Sequence, residues 1–250
     1  MMLQKNAWTE IAKEMEQMIE KIVSADTNDI PTLSALAGLD VYTDFQGANL
    51  ECSSLRNIDL QGADLRCCNM RGADLRAAIL TDSDLSGAVL KKADLSHADL
   101  RGADLREADL SESILKGADL RHADLRGVNL RGADLSESVL KGADLRHADL
   151  RGVNLRGAAL WRVKLRGADL RSADMRQTDI CMVDFRNADI KGADMRKANF
   201  RLVTLSHVNM QSVMLRDDSL SRVSFDQGLT SKNELSAKAA HTFKQKGHER

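Results

Sequence analysis

From Phe45 to Phe225 a large apolar residue recurs at every fifth position with no break in register. The series runs Leu50, Leu55, Leu60, Leu65, Met70 and onward, and 27 of its 37 members are Leu, the rest Phe, Met or Ile. Two residues before each stands a small side chain, usually Ala, as at Ala63, Ala73, Ala103 and Ala168. Asp or Asn comes immediately before it, Arg or Lys commonly after, and then often Gly. Ile58 and Asp218 are the two departures at the small position. A period of five fits neither regular element. On an α-helix successive members would be about 500° apart and would not form a stripe. Along an unbroken strand, whose side chains alternate, they would change face at every step. The pattern therefore predicts a chain that turns once per unit, with a short extended segment and a corner each time. Coils so formed stack through backbone hydrogen bonds at about 4.8 Å, with the large and small residues pointing inward.

The tandem A-(D/N)-L-x-x units resemble the pentapeptide-repeat proteins, and the resemblance spans positions 41 to about 226. It implies an all-β solenoid, a right-handed quadrilateral β-helix with four pentapeptides per coil. On that reading the chain makes about nine coils and a rod roughly 45 Å long at strand spacing. Each coil buries only a thin core, so stability comes from stacking neighbours. The end coils would be open sheet edges and are expected to need caps. Asp218 falls one unit from the C-terminal end, where the last coil is expected to fray. Inside the array, residues 111–134 recur almost unchanged at 136–159. The offset of 25 is five units but not a whole coil, so the duplicate keeps its inward pattern while moving to the next face. Detailed surface chemistry in this stretch is therefore not expected to be essential.

Three segments follow: 1–40, 41–226 and 227–250. Residues 4–23 carry Trp8, Ile11, Met15, Ile19 and Ile22 at three-to-four spacing, the pattern of an amphipathic helix. It reads either as an N-terminal cap on the first coil or as a dimerisation and docking helix. Residues 1–43 hold three Lys against seven Asp or Glu. After Gly228 the chain is polar, with Asn233 placed as an N-cap for a short helix through Phe243. That segment reads as a weak cap or a basic tail.

Composition sharpens the picture. Aromatic residues make up 3% of the chain and proline occurs once, so the core does not rest on the usual large rings. There is no apolar run of about 18 residues, hence no expected membrane span. The N-terminus lacks a secretory pattern, and Cys52, Cys67, Cys68 and Cys181 form no CxxC or disulfide framework. A cytoplasmic protein is expected. No catalytic, cofactor-binding or metal site stands out. Asp and Arg recur on every face, which reads as solvated ladders, and the histidines, His122 and His147 among them, lack metal-ligand spacing. The chain is expected not to be an enzyme and to need no cofactor.

Charge and one irregular patch bear on function. Residues 44–226 carry 28 basic and 28 acidic side chains. Some relatives implied by the resemblance mimic duplex DNA and bind DNA gyrase and other type II topoisomerases, which calls for a strongly negative rod. Here Arg66, Arg106, Arg126, Arg146, Arg166 and Arg186 form a basic ladder beside Asp64, Asp104, Asp124 and Asp144, so mimicry is the lesser alternative. Direct nucleic-acid binding is not expected either, since acidic residues interleave and stacking aromatics are few. Counting in steps of 20, Trp161 and Cys181 share one column, ending near Arg201, and Met182 and Leu202 share the next. They replace Arg, Ser, Gly or polar residues and predict an exposed apolar strip, the kind of surface that takes a protein partner. The sequence thus supports a protein-binding scaffold whose partner it does not identify. The alternatives are the topoisomerase-directed mimic and a self-assembling rod.

Overall fold

The turn in each unit comes from one residue per pentapeptide held in the left-handed region. The computed structural model describes residues 45–215 and 223–225, and within them the second residue after each central position has φ between +52° and +75°. In the unit Leu100–Ala103, Gly102 has φ +69° and the Ala103 N–H donates to the Leu100 carbonyl at 3.1 Å. A positive φ confined to the third residue of a four-residue turn is the type II signature. Gly recurs there for that reason, yet Asn57, His97 and His122 hold the same conformation at φ 57°, 59° and 62°.

Each backbone N–H of a unit has an assigned partner. Leu100 N–H donates to Asp119 O (2.8 Å) and Gly102 N–H to Arg121 O (3.0 Å), both one coil on, and Asp104 N–H donates back to Ser83 O (2.9 Å). Ala103 N–H closes the turn, and Arg101 N–H donates to Oδ1 of Asp99 at 3.2 Å. The last bond explains the Asp/Asn preference: the side chain caps a donor that the corner would otherwise leave to solvent.

Parallel pairing links residue i to i+20 throughout, from Asn49↔Asn69 to Asp194↔Met214. Four pentapeptides therefore make one coil. Most sides are a single bridging residue. Longer pairing occurs only in five three-residue strands among the described residues: β1 (Ala159–Trp161), β2 (Asp179–Cys181), β3 (Asn199–Arg201), β4 (Val203–Leu205) and β5 (Val223–Phe225). β1, β2 and β3 form one parallel sheet, and β4 pairs with β5.

The axis of the solenoid is a ladder of side chains, with Leu65, Leu85, Leu105 and Leu125 all fully buried beside Ala63, Ala103 and Ala123. Burying a leucine is worth about 1.5–3 kcal/mol each, so the ladder is the main favourable term for the rod. Where Ser or Thr takes the small position, its hydroxyl donates to the carbonyl three residues back, as Ser113 does to Leu110 (2.6 Å). Cys68 sits in the same position with Sγ 2.7 Å from the Phe45 carbonyl, and burial pushes its thiol up to about 11. Ile58, one of the two exceptional small-position residues, is only partly buried against the core. Asp218, the N-terminal pattern at Trp8, Ile11, Met15, Ile19 and Ile22, the C-terminal segment and the segment boundaries lie outside the described residues.

Candidate functional site

The turn-closing hydrogen bond is 3.0 Å at Ala98 and Ala118, 3.2 Å at Ala108, Ala148, Val128 and Val153, and 3.4 Å at Ile58 and Thr178. At Val163 and Val183, stacked one coil apart, the turn is open and the bond back to Leu160 or Ile180 is not made. The freed residue joins the sheet instead, extending β1 to Trp161, β2 to Cys181 and β3 to Arg201.

A packing rule operates at the outer tip of the corner. The side chain at the left-handed position leans along the axis over the equivalent residue of the next coil. A Cβ placed on Gly142 would lie 2.7 Å from Nδ1 of His122, and Gly167 stands in the same relation to His147. Gly117 lies likewise beneath His97. At these three tips a histidine is thus accommodated by glycine at the next, whereas Glu112 turns aside to Lys91 and Lys92 and leaves Gly132 clear. Arg162, Met182 and Leu202 break the alternation, with three large residues in succession along one column.

These two irregularities coincide on one edge. Register places Trp161 opposite Cys181 and Cys181 opposite Arg201. Trp161 and Met182 are each 42% exposed and Leu202 66%, while Cys181 is partly covered. All five residues of the anticipated strip therefore lie together on neighbouring coils. The other exposed apolar groups, Ile79, Ile114 and Met214, occupy bridging positions elsewhere on the rod.

Electrostatics at this edge differs from that of the Asp–Arg columns. Over most of the rod each Asp is bound by the arginine two residues on, as in Arg121 to Asp119 (Nε 2.8 Å, Nη2 2.5 Å). Several arginines also reach the aspartate of the next coil, for example Arg66 Nε to Asp84 at 3.8 Å. The hydrogen bond from Arg66 holds the Asp64 carboxyl below the usual carboxylate range, partial burial opposing it, and Arg186 acts in the same way on Asp184. At Asp104 and Asp144 burial is the largest influence and pushes upward, but hydrogen bonds from Arg106 and Arg146 outweigh it. The Asp–Arg columns are therefore interlocked pairs that cap corners, not the merely solvated ladders the sequence suggested. This also neutralises Arg66, Arg106, Arg126, Arg146 and Arg186 of the basic ladder, whereas Arg166, which follows Lys164, makes no ion pair among the described residues.

Around Trp161 the pairing fails. Lys91 meets Glu112 at 3.2 Å and Lys116 meets Glu137 at 3.5 Å, each pair spanning one coil and the second pair lying 25 residues after the first. One step further, the partner of Lys141 would be residue 162, which is Arg. Lys141 instead lies over the Trp161 ring, its Nζ 4.7 Å from the centroid, and the Arg162 guanidinium lies 5.8 Å away. Among the described residues neither cation has a carboxylate partner. Arg201 has Asp179 at 3.3 Å. Sequence reasoning missed Lys141 and Arg162. The signal was present: residues 86–110 are a third, more diverged copy of the 25-residue unit, and the copy starting at 161 replaces Ser-Glu-Ser with Trp-Arg-Val.

No cluster of three or more His, Cys, Asp or Glu able to hold a metal ion occurs among the described residues, and no described helix is long and apolar enough to cross a membrane. His122 and His147 sit on adjacent edges, each over a glycine.

A parallel coil of four five-residue sides, repeated along an axis, defines a β-solenoid repeat protein. The match that places it more closely is to the pentapeptide repeats, found in 8 copies over residues 41–76, 68–106, 103–142, 143–180 and 183–217. The chain belongs to the pentapeptide-repeat family, and its solenoid is the right-handed form of that fold. Among solved structures it is similar to HetL, a pentapeptide repeat protein involved in heterocyst differentiation regulation from the cyanobacterium Nostoc sp. strain PCC 7120. The identity is 29%, over 83% of this chain and 100% of HetL, with a TM-score of 0.40. The protein alr5209 of the same Nostoc strain is 30% identical over 41% of this chain and 84% of its own, with a TM-score of 0.36. QnrB1, a plasmid-mediated fluoroquinolone resistance protein, is 17% identical over 82% of this chain and 93% of its own, with a TM-score of 0.32. None of the curated proteins matches the chain.

Proposed function

We propose that this protein is a non-catalytic scaffold that binds another protein through the edge formed by Trp161, Cys181, Met182, Arg201 and Leu202. One observation carries the reading: three exposed apolar side chains on successive coils are joined to two cations that no described carboxylate neutralises. Much of the remaining surface is made of self-satisfied Asp–Arg pairs such as Arg121–Asp119 and Arg171–Asp169, which have little to gain from a partner. The cations outside this edge that are unpaired among the described residues, such as Arg71 and Arg131, have no exposed tryptophan beside them. An exposed tryptophan beside further apolar surface is the composition typical of binding hot spots. The rigid ladder beneath keeps the edge in shape before binding, which lowers the ordering cost of association. A topoisomerase-directed DNA mimic is less well supported, because the carboxylate columns are matched by arginines and present no sustained negative field.

The test is retention of a protein from a lysate of the source cells on wild type and on the Trp161→Ala/Met182→Ser double variant. The retained protein is then purified and titrated against both. Both substituted side chains are exposed, so circular dichroism should be unchanged. Loss of a hot-spot tryptophan is expected to weaken binding by at least about 30-fold. Equal affinity for both forms would remove the edge from the function.

A further inference from the structure

We propose that residues 4–23 of this same chain dock on the Trp161–Met182–Leu202 strip, so that a partner must displace them. The inference rests on the reading of the strip as a binding surface and names its resident occupant. The strip asks for an apolar stripe accompanied by negative charge, because Lys141 and Arg162 flank Trp161 without a described carboxylate. The two ends of the chain answer this differently. Residues 227–250 hold five basic and two acidic side chains and would be repelled. Residues 1–43 hold seven acidic and three basic ones, and within them Trp8, Ile11, Met15, Ile19 and Ile22 have the spacing that would place them on one face of a helix, with Glu14 and Glu16 to either side.

Dimensions agree. Trp161 and Leu202 are two coils apart, about 10 Å at strand spacing. Seven residues of helix, the separation of Trp8 from Met15, cover about the same length at 1.5 Å per residue. The described chain begins at Phe45, on the side of the rod that directly follows the corner column of Trp161, because the register of 20 puts residues 61, 101, 141 and 161 in that column. The strip lies about six coils along, roughly 28 Å away. Residues 24–40 separate that segment from the first repeat, and a random coil of that length would have a root-mean-square span of about 20–25 Å. Such a match of linker to span gives close to the highest effective concentration, on the order of millimolar.

The test uses the full chain with Met15→Cys, which sets a thiol on the apolar face within reach of Cys181. Cys52 and Cys67 are exposed and lie far nearer the N-terminal end of the rod. A segment without a seat would therefore be oxidised onto them first. Docking predicts that under mild oxidation the disulfide to Cys181 forms about tenfold faster than that to Cys52 or Cys67, within one chain. Adding Trp161→Ala should reduce it to the rate of the other two. Preference for Cys52 or Cys67, a disulfide joining two chains, or no response to Trp161→Ala would each overturn the proposal. Capture of a partner that depends on Trp161 without disulfide formation at Cys181 would leave the binding edge standing and remove its occupant. The reverse pattern would retain the occupant and remove the external partner.

Discussion

Replacing Gly142 with alanine tests the packing rule that shapes the corners. Gly142 has φ +75°, and a Cβ there would meet the His122 ring at 2.7 Å from Nδ1 and 2.9 Å from Cε1. Two costs add. The left-handed backbone conformation costs an L-residue about 1 kcal/mol, and moving the ring off its resting rotamer costs about another 1 kcal/mol. Gly132 has φ +67° with nothing within 4 Å of its added Cβ, so Gly132→Ala should pay the backbone cost alone. In the His122→Ala background Gly142→Ala should also fall to about 1 kcal/mol, leaving a coupling energy near 1 kcal/mol between the two sites. Urea unfolding followed by circular dichroism reads these values. With a slope of about 2–3 kcal/mol/M, each kcal/mol moves the midpoint by about 0.3–0.5 M. Equal midpoints for Gly142→Ala and Gly132→Ala, or no relief from His122→Ala, would refute the idea that the His122 ring rests on the glycine of the next coil.

The Asp–Arg pairs make stability depend on pH at the acidic end. Asp174 is held below the usual carboxylate range chiefly by its hydrogen bond from Arg176, so its contribution is present above the unfolded value near pH 4 and is lost as pH falls through the lower folded value. Asp174→Asn, which keeps the acceptor for the Arg176 N–H (3.1 Å), should cost less than about 1 kcal/mol, and Asp174→Ala about 1 kcal/mol more; equal urea midpoints for the two variants would deny the capping role. The thiols separate by burial: Cys52 and Cys67 should react at once with an aromatic disulfide reagent at pH 8, and Cys68, pushed up to about 11, only when the rod unfolds. Prompt labelling of Cys68 in the folded chain would contradict its place in the core.

Much of the fold was legible because the period of five is a direct record of the backbone. Every central residue from Leu50 to Leu205 went inward as the pattern required, and the 20-residue register followed once four corners close a coil. The strip was legible for the same reason, since Trp161, Cys181 and Arg201 share a column by arithmetic alone. The sequence pattern did not disclose what the aspartates do. Asp99 looks like any surface carboxylate until the chain bends and brings its Oδ1 to the Arg101 N–H. Nor did it disclose the open corners at Val163 and Val183, since Val128 and Val153, alike in sequence position, close theirs at 3.2 Å. Lys141 became a candidate only when the structure put it over Trp161, in the place where its counterparts Lys91 and Lys116 find glutamates. Sequence by itself determined where the chain turns and which side chains go inward, because both are set within five residues. Tertiary structure decided which charges are neutralised and which corner stays open, because those depend on contacts between residues 20 or more apart that only stacking brings together.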